Sequence, residues 1–551
     1  MTFMTMPEQE IQRVSRTPAT IRIGVTGHRE LTETQSILIS ECVRKVLDTL
    51  DRWLSDNLRN SAHAFVVISP LAEGSDRIVA REVLDWPKAD SHYKPEMEAV
   101  IPFPVGEYVT TFTGQGSRDE FDALLKRARS VKVLEKSRPA NGAYVSVGHY
   151  VVHASDILIA IWNGMPANGR GGTGDIVEYA RSLGQSIFII DPASGRVTEE
   201  WNKGWTLDSL KFLDVYNSEK LSTKELTEYM EKRFISLEKK VRSAGLSSDV
   251  IDPIKEDLLP KYARASLLAK RYQFYYLWAG GLIYLLSALA VTMVALQILF
   301  IDGIFSGPPF LIWAEFFMIL AILVIMWALE HFMLHRRWID YRFLAERLRI
   351  AIFLSVAGIE FKPLKYPSNF SLSHQSDYWI VKAFGWTLHK RPRTNYRGSL
   401  EASKKFLLEA WIDDQISFYE KKFEKNEKRT KTLDVLGYTL FLITLVASLA
   451  HATNAERFLP GVLENSNYIT FIAIVFPMVG ALLVGFQVHR EYKRNAERYK
   501  QMVGPLFSIS RQIRLAKDDE ALANLLEKAN DLMLKENQDW RVSILSQKIG
   551  V

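Results

Sequence analysis

The sequence has a single cysteine, Cys42, and it contains no CxxC or HExxH spacing. One thiol excludes a disulfide framework and indicates a reducing compartment. Without paired thiols or a histidine motif, we expect no metal site and no resident cofactor. The first twenty residues include Glu8 and Glu10 and lack an apolar run, so we expect no secretory signal and place the N-terminal half in the cytoplasm.

An excess of charge of one sign is also missing. The formal net charge is only +6 over 551 residues, and the basic residues cluster beside apolar segments. A nucleic-acid-binding face needs a concentrated basic surface, so this distribution argues against a nucleic-acid partner and fits the topology of a membrane protein. The length suggests three or four domains.

Short apolar runs alternate with longer amphipathic segments between residues 21 and 191. This alternation predicts an α/β fold with a doubly wound, mostly parallel, Rossmann-like sheet. The predicted strands are Ile21–Val25, Ala64–Ile68, Glu98–Pro102, Ile157–Trp162 and Ser186–Ile190, and the predicted helices are Glu33–Leu54, Ser75–Leu84, Arg118–Arg127 and Ala143–His153.

Polar, glycine-containing segments follow several of these strands, where ligands of such sheets bind. Glycine lets backbone N–H groups approach an anion, and a helix that begins there adds the positive end of its dipole. We therefore predict a nucleotide-like ligand, although a solvated turn, or a turn and helix N-cap formed by Gly74 with Ser75 or Asp76, would have similar residues. The candidate contacts are Gly24, Thr26, Gly27, His28, Arg29, Glu73, Gly74, Ser75, Asp76, Arg138, Trp162, Asn163, Gly171, Gly172, Thr173, Gly174 and Glu178.

The run from Gly171 to Glu178 is the most specific of these segments. It follows a predicted strand and opens a predicted helix, which is the context of a phosphate loop. It matches neither the Walker A pattern nor GxGxxG, and a plain turn is the alternative. Arg170 would add a cation for a phosphate.

Four long apolar segments follow a polar, helix-biased connector. Each is close to the roughly 20 residues needed to cross a bilayer. The first segment has 27 residues without a charge. The third is shorter and contains His451, so a buried core helix in a soluble domain is the alternative for it. The predicted spans are Phe274–Phe300, Pro309–Leu329, Val435–Thr453 and Tyr468–Val488.

The basic residues predict how these spans are oriented. The turn 301–308 has no Lys or Arg and the turn 452–466 has only Arg457, whereas the segment 335–432 has 20. The positive-inside rule places that segment in the cytoplasm. We therefore predict a multi-pass membrane protein whose N- and C-termini are both cytoplasmic.

The two predicted hairpins resemble each other. Leu-Ser-Ala-Leu-Ala at 286–290 is similar to Val-Ala-Ser-Leu-Ala at 446–450, and Ala-Glu-Arg occurs at both 345–347 and 496–498. This pattern predicts a tandem repeat of a two-span unit. The predicted domains are a disordered tail (1–20), a nucleotide-binding domain (21–200), a helical connector (201–272), a first two-span unit (273–360), a linker (361–400) and a second two-span unit with a C-terminal helix (401–551).

Two residues within the predicted spans are candidates for a pore or a gate. Glu315 lies in the second span, and an intramembrane carboxylate is a functional candidate by default, with an interfacial or paired position as the alternative. Pro477 should kink the fourth span, and Gly480 and Gly485 permit close helix packing or a gating motion.

These motifs carry a family resemblance. Thr26-Gly27-His28-Arg29, the Ala72-Glu73-Gly74 turn, the strand after Asp156 and Gly-Gly-Thr at 171–173 resemble sensor-type members of the SLOG superfamily, a Rossmann-like fold. The hairpins resemble SLATT domains, two-span effectors encoded with bacterial nucleotide-signalling systems, and residues 411–415 with Tyr419 are similar to the first helix of such a domain.

The resemblance implies a membrane effector of a bacterial antiphage system that acts by abortive infection. Its SLOG-like domain would sense a nucleotide-derived second messenger, of the ADP-ribose type or a cyclic nucleotide. Binding would open or assemble a homo-oligomeric pore or ion channel in the bacterial inner membrane. A membrane sensor or scaffold that does not conduct, or a transporter, is the alternative.

The same superfamily also offers an enzyme alternative. Its lonely guy phosphoribohydrolases carry Pro-Gly-Gly-x-Gly-Thr-x-x-Glu, which aligns with residues 170–178 and places Glu178 at the position of a catalytic glutamate. Arg170 replaces the proline and Asp175 replaces the threonine. These departures favour binding without turnover, so we expect no enzyme activity, with a membrane-anchored nucleotide N-glycosidase as the alternative.

Overall fold

A computed structural model of the chain describes residues 7–87, 93–134, 142–167, 169–301, 310–358, 378–389, 398–453 and 466–545. The chain forms two compact units. The first consists of Met1–Glu225 and Lys362–Pro392, and the second of Leu226–Phe361 and Arg393–Val551. The first unit is therefore built from two separate stretches of sequence.

The first unit contains a seven-stranded sheet. Its strands are β1 (Ala19–Gly27), β2 (His63–Ser69), β3 (Glu96–Ile101), β4 (Ser130–Val133), β5 (Ile157–Ile161), β6 (Ser186–Ile190) and β7 (Val197–Glu200). They lie in the order β4-β3-β2-β1-β5-β6-β7, and every neighbouring pair is parallel except β6 and β7. The predicted α/β fold with a mostly parallel sheet is confirmed.

Apolar sequence explains why the central strands form. All five residues of β5 are buried, as expected for a parallel strand covered on both faces. The helices of this unit are α1 (Glu8–Ser15), α2 (Glu33–Asn57), α3 (Ser75–Leu84), α4 (Val105–Tyr108), α5 (Gly114–Arg127), α6 (Ala143–Ala154), α7 (Thr173–Ser182), α8 (Lys203–Ser218) and α14 (Tyr378–His389).

The N-terminal segment differs from the predicted disordered tail, because residues 8–15 form helix α1. Ile11 of this helix is buried, and the Gln12 side chain donates to the Leu221 carbonyl oxygen at 3.0 Å. The burial of Ile11 and this long-range hydrogen bond hold α1 in place. The segment is too short and too polar for a helix to be recognised from its sequence.

Helix α14 lies within the predicted linker 361–400, yet it packs against the first unit. Trp386 joins a buried cluster with Ala64 and Val66 of β2. Lys382 forms an ion pair with Asp156 at 2.9 Å, with side chains only 2% and 6% exposed. A buried cation and two tryptophans (Trp379 is also buried) make this helix part of the first unit's core.

The second unit is all-helical among its described residues. Its helices are α9 (Thr223–Ser243, which begins in the first unit), α10 (Asp252–Glu256), α11 (Leu258–Leu296), α12 (Phe310–His331), α13 (Leu334–Val356), α15 (Leu400–Leu407), α16 (Asp413–Ala452), α17 (Ser466–Arg490), α18 (Tyr492–Leu515) and α19 (Asp519–Leu545).

Four helical stretches of this unit are long and apolar enough to cross a membrane, and each overlaps one predicted span. They are Leu258–Ile301, Phe310–His331, Leu400–Ala452 and Asn467–Leu515. The predicted second and third spans each extend one residue beyond their stretch, at Pro309 and at Thr453. The expected all-α region with four spans in two hairpins is therefore confirmed, and the chain has the character of a membrane protein.

The two hairpins share one architecture. A leading helix of 39 or 40 residues (α11, α16) is followed by a second span (α12, α17) and by a returning helix (α13, α18) that packs on the leading helix. The returning helix starts after a residue with left-handed backbone in both cases, Met333 with φ 47° and Glu491 with φ 52°. This shared geometry agrees with the tandem repeat in the sequence.

Candidate functional site

The strand order of the first unit reverses between β1 and β5. From β1 the chain adds β2, β3 and β4 on one side, and then β5, β6 and β7 on the other. At such a reversal the loops beyond the two strands turn away from each other and leave a crevice at their carboxyl ends. The segments after Gly27 and after Ile161 border this crevice.

The loop after β1 is held by the turn that precedes α3. Ser75 donates to the His28 carbonyl oxygen through its backbone N–H at 3.1 Å and through its hydroxyl at 2.8 Å. A Cβ on Gly27 would lie 2.5 Å from the Ser75 Cβ. Gly74 has φ +77°, and a Cβ there would lie 2.3 Å from the Arg29 carbonyl oxygen. Both glycines are therefore required for this close approach.

Three helices of the crevice begin without a side-chain cap. The N-caps of α3, α6 and α7 are Gly74, Gly142 and Gly172, and none of the three helices has a capping side-chain hydrogen bond. Helix α2, by contrast, has a complete capping box of Thr32 with Gln35. Apart from the Ser75 N–H of α3, which donates to His28, such first turns leave backbone N–H groups and partial positive charge for an anion. The turn expected to cap α3 does so through Gly74, whereas neither Ser75 nor Asp76 supplies a capping side chain, and the Ser75 hydroxyl donates to His28.

Close contacts bring these helix starts together. A Cβ on Gly171 would lie 2.8 Å from the Val145 backbone nitrogen, so the segment before α7 abuts the first turn of α6. The Arg29 guanidinium lies 5.1 Å from the centre of the Tyr144 ring, which joins the loop after β1 to the same turn. Tyr144 was missed by the sequence analysis, although its place two residues after Gly142, at a helix start, was a usable signal.

The loop before α7 is compact. Gly171 has φ +81°, and its N–H donates to the Asp175 carboxylate at 3.1 Å. A Cβ on Gly172 would lie 2.9 Å from the Ala167 Cβ, and one on Gly174 would lie 3.0 Å from the Ala167 nitrogen. Thr173 follows as the first helical residue. The glycines thus place the start of α7 against its own preceding loop.

Two exposed cations and one histidine border the crevice. Arg29 and Arg170 are both exposed. The Nε2 atom of His28 is buried and has no hydrogen-bond partner among the described residues. A ligand oxygen or hydroxyl would satisfy this nitrogen. These three side chains place two cations and one unpartnered polar nitrogen beside the crevice.

Other predicted contacts have structural roles. The Glu73 carboxylate accepts from the Thr113 N–H and hydroxyl, each at 2.7 Å. Although burial raises the pKa of Glu73, these bonds and one from Ser117 hold it below its usual range. Gly24 lies inside β1, where a Cβ would be 2.6 Å from the Ser155 hydroxyl, so it serves helix packing.

The remaining predicted contacts lie on either side of the crevice. Thr26 is partly buried near the end of β1, opposite Ala160. The Trp162 indole donates to the Met165 carbonyl oxygen at 2.8 Å, and the Asn163 side chain accepts from the Met165 N–H at 3.1 Å, so both shape the loop after β5. Arg138 lies outside the described residues.

Glu178 is not directed at these groups. Its side chain is 66% exposed and forms an ion pair with Arg181 at 2.7 Å. Arg181 also pairs with Glu200 of β7. The candidate catalytic carboxylate therefore belongs to a surface ion-pair network one turn further along α7.

Asp76 is a buried titratable group beside the crevice. Its burial raises the pKa of the carboxyl to about 7, against the opposing effects of Arg29, a backbone hydrogen bond with Ala72 and Arg77. Arg77 is itself buried and donates to the Leu71 carbonyl oxygen at 3.1 Å. Near neutral pH, proton loss from Asp76 would place a negative charge in the first turn of α3.

We expect stability to depend on pH through Asp76. Because its folded-state pKa is raised, the folded chain holds this proton more tightly than the unfolded chain, so its contribution is lost as pH rises from about 4 towards and through about 7. Asp76→Asn should flatten the fall in the thermal midpoint over this interval, whereas the exposed carboxylate control Asp122→Asn should not. An equal slope in wild type and Asp76→Asn would contradict this assignment.

The membrane unit contains the two predicted pore or gating residues. Glu315 is partly buried on α12, which is the least covered of the four candidate spans. Pro477 lies inside α17. On the same helix, a Cβ on Gly480 would lie 3.0 Å from the Phe441 ring of α16, and one on Gly485 would lie 2.8 Å from the Tyr284 ring of α11. These glycines permit close helix packing.

Comparison with known proteins bears on the second hairpin. No curated protein matches the chain. The SLOG resemblance of the first unit rests on its residues alone. Residues 408–540, which include α16, α17 and α18, match the SLATT family model described as SMODS and SLOG-associating 2TM effector domain 1. A SLATT-type domain together with four apolar helices fits a membrane effector of a defence system.

Proposed function

We propose that the chain is a membrane effector controlled by a nucleotide-derived second messenger. The observation that carries this proposal is the meeting of three uncapped helix starts at the reversal of strand order, in a chain that also has four membrane-crossing helices. The uncapped helix starts favour a bound phosphate. The four membrane-crossing helices are the part of the chain that phosphate binding would act on.

The ligand we propose carries at least one phosphate. Uncapped N–H groups supply hydrogen-bond donors, Arg29 and Arg170 supply positive charge, and His28 Nε2 supplies a further polar contact. Within this chemistry, the SLOG resemblance favours an ADP-ribose-type molecule or a cyclic nucleotide.

The effect we propose is a change in membrane permeability. A ligand shifts a conformational equilibrium only as far as it binds one state better than the other. Four spans are too few to enclose a wide pore, so the conducting form would be a homo-oligomer in the bacterial inner membrane, with both termini cytoplasmic. The outcome for an infected cell would be arrested growth.

Binding is tested first on the full-length protein in detergent. ADP-ribose and cyclic AMP are titrated by calorimetry, and native mass spectrometry is used to find a nucleotide retained from the cell. Saturable binding of a phosphate-bearing nucleotide is expected. If no nucleotide binds or is retained, the sensor proposal fails and a scaffold becomes the better explanation.

We expect no turnover of the ligand. Since Glu178 is exposed and paired with Arg181, wild-type protein and Glu178→Ala should both leave NAD and AMP intact, as measured by chromatography of released nicotinamide and adenine. Nucleotide affinity should change by no more than about threefold, as for most exposed ion pairs. Steady base release by wild type that Glu178→Ala abolishes would instead establish the N-glycosidase alternative.

A further inference from the structure

Two arginines lie where the apolar parts of the second hairpin end. Arg490 is the last residue of α17, and Arg429 precedes the apolar part of α16. Both are on the side of the spans that carries the basic residues. Their position corresponds to the headgroup region of the membrane leaflet on that side.

Arg490 is partly buried between α17 and α11. Its guanidinium lies 5.2 Å from the centre of the Phe486 ring, and a Cβ on Gly281 of α11 would lie 3.6 Å from it. Its Nε atom is buried and has no hydrogen-bond partner among the described residues. A buried donor without an acceptor costs free energy, so this geometry favours an acceptor from outside the chain.

A second positive charge acts on Arg490 from the neighbouring helix, α16. That charge is Arg429, whose guanidinium lies 5.3 Å from the centre of the Tyr492 ring. Neither arginine forms an ion pair with a carboxylate of the described chain. The adjacent carboxylate, Glu491, pairs instead with Arg494 at 3.2 Å. Two guanidinium groups are thus close enough to repel each other, and neither has a carboxylate partner among the described residues.

The missing counter-charge fits a phosphate. A phosphate group offers several acceptor oxygens and negative charge to two guanidinium groups at once. Apolar side chains continue from this position into the membrane, since Val435 is 65% exposed and Val488 is 63% exposed. Acyl chains would cover these side chains, which favours a lipid over a free phosphate as the source.

We propose that Arg429 and Arg490 bind the phosphate of an anionic phospholipid. The site lies between α16 and α17, and Arg490 also approaches Gly281 of the first hairpin. A bound lipid would therefore stabilise the packing of the two hairpins against each other. The inference is independent of the nucleotide site in the first unit.

Full-length protein in detergent tests this site. Native mass spectrometry compares the binding of phosphatidylglycerol with that of phosphatidylcholine of the same acyl chains. Wild type should prefer phosphatidylglycerol, and Arg490→Gln and Arg429→Gln should each weaken its binding about tenfold, as expected for loss of a charge-assisted bond. Arg511→Gln, which removes an exposed charge from α18, should bind phosphatidylglycerol as wild type does.

Several outcomes would overturn the proposal. Equal binding of both lipids by wild type, or unchanged phosphatidylglycerol binding by both Gln variants, removes the site. Competition by millimolar inorganic phosphate would show a soluble phosphate source instead of a lipid. Because Arg490→Gln could fold poorly, Arg490→Lys is measured as well. It keeps the charge, and it should recover part of the preference for phosphatidylglycerol.

Discussion

Replacing Gly172 with glutamate should abolish nucleotide binding by the first unit. Gly172 is the N-cap of α7, with φ −71° and ψ 167°, a backbone conformation that other residues adopt without strain. The new carboxylate would lie at the uncapped N–H groups and repel a phosphate. The expected loss is at least about 3 kcal/mol, or about a hundredfold or more in Kd, measured by calorimetry with the nucleotide that wild type binds.

Two further variants separate charge from crowding. Gly172→Ala adds only the Cβ that would lie 2.9 Å from the Ala167 Cβ, so it should weaken binding much less than the glutamate does. Gly106→Glu adds the same charge where a Cβ meets nothing within 4 Å, and it should bind as wild type does. Normal affinity in Gly172→Glu would remove this loop from the binding site.

Replacing Glu315 with lysine should reverse the ion preference of the membrane unit. Glu315 is a carboxylate within α12, and a ring of such groups in a homo-oligomer would enrich cations about tenfold at the pore. Liposomes that contain the protein and its nucleotide are measured for ion flux and dye release. The lysine variant should favour anions, and the affinity for the nucleotide should not change.

Glu315→Gln provides the matched control, because it keeps the size of the side chain and removes only its charge. It should reduce the cation preference without creating an anion preference. Equal selectivity in wild type, Glu315→Gln and Glu315→Lys would exclude Glu315 from the pore lining. If bound nucleotide never produces flux, the channel hypothesis fails and leaves a sensor or scaffold.

Local sequence patterns were sufficient to predict the secondary structure in the central part of the first unit. The strand Ser186–Ile190 and the helix Ser75–Leu84 were predicted with the bounds that the structure has. Their patterns are strong for two reasons. A covered parallel strand is apolar along its whole length, and in a helix that packs on the sheet apolar residues recur with the longer period of a helix. The spans were predictable for a related reason, since the bilayer sets both their length and their composition.

The edge strands were not predictable in this way. β4 has four residues, three of them exposed, and β7 is the polar sequence Val-Thr-Glu-Glu. Each is a strand mainly because a neighbouring strand offers backbone partners. Hydrogen bonds of this kind depend on the whole fold, and a short polar segment carries no periodic signal for them.

The candidate site was predicted at the level of its loops and less well at the level of side chains. Glycine-rich segments after strands identified the crevice, because their chemistry is local. The role of Glu73 depends on Thr113, and that of Gly24 depends on Ser155, both of which are distant in sequence. A contact of this kind can be assigned only when the fold brings the two residues together.

Helix α14 also determines how the molecule can be divided. The chain crosses between the two units three times, near residues 225, 361 and 392, because α14 returns to the first unit from between the hairpins. A fragment that ends before the first span would lack Trp379, Lys382 and Trp386, and would leave the Asp156 carboxylate without its buried cation. An exchange of the first unit between related proteins would therefore have to transfer two gene segments together, and a fusion at one junction would produce an incomplete fold.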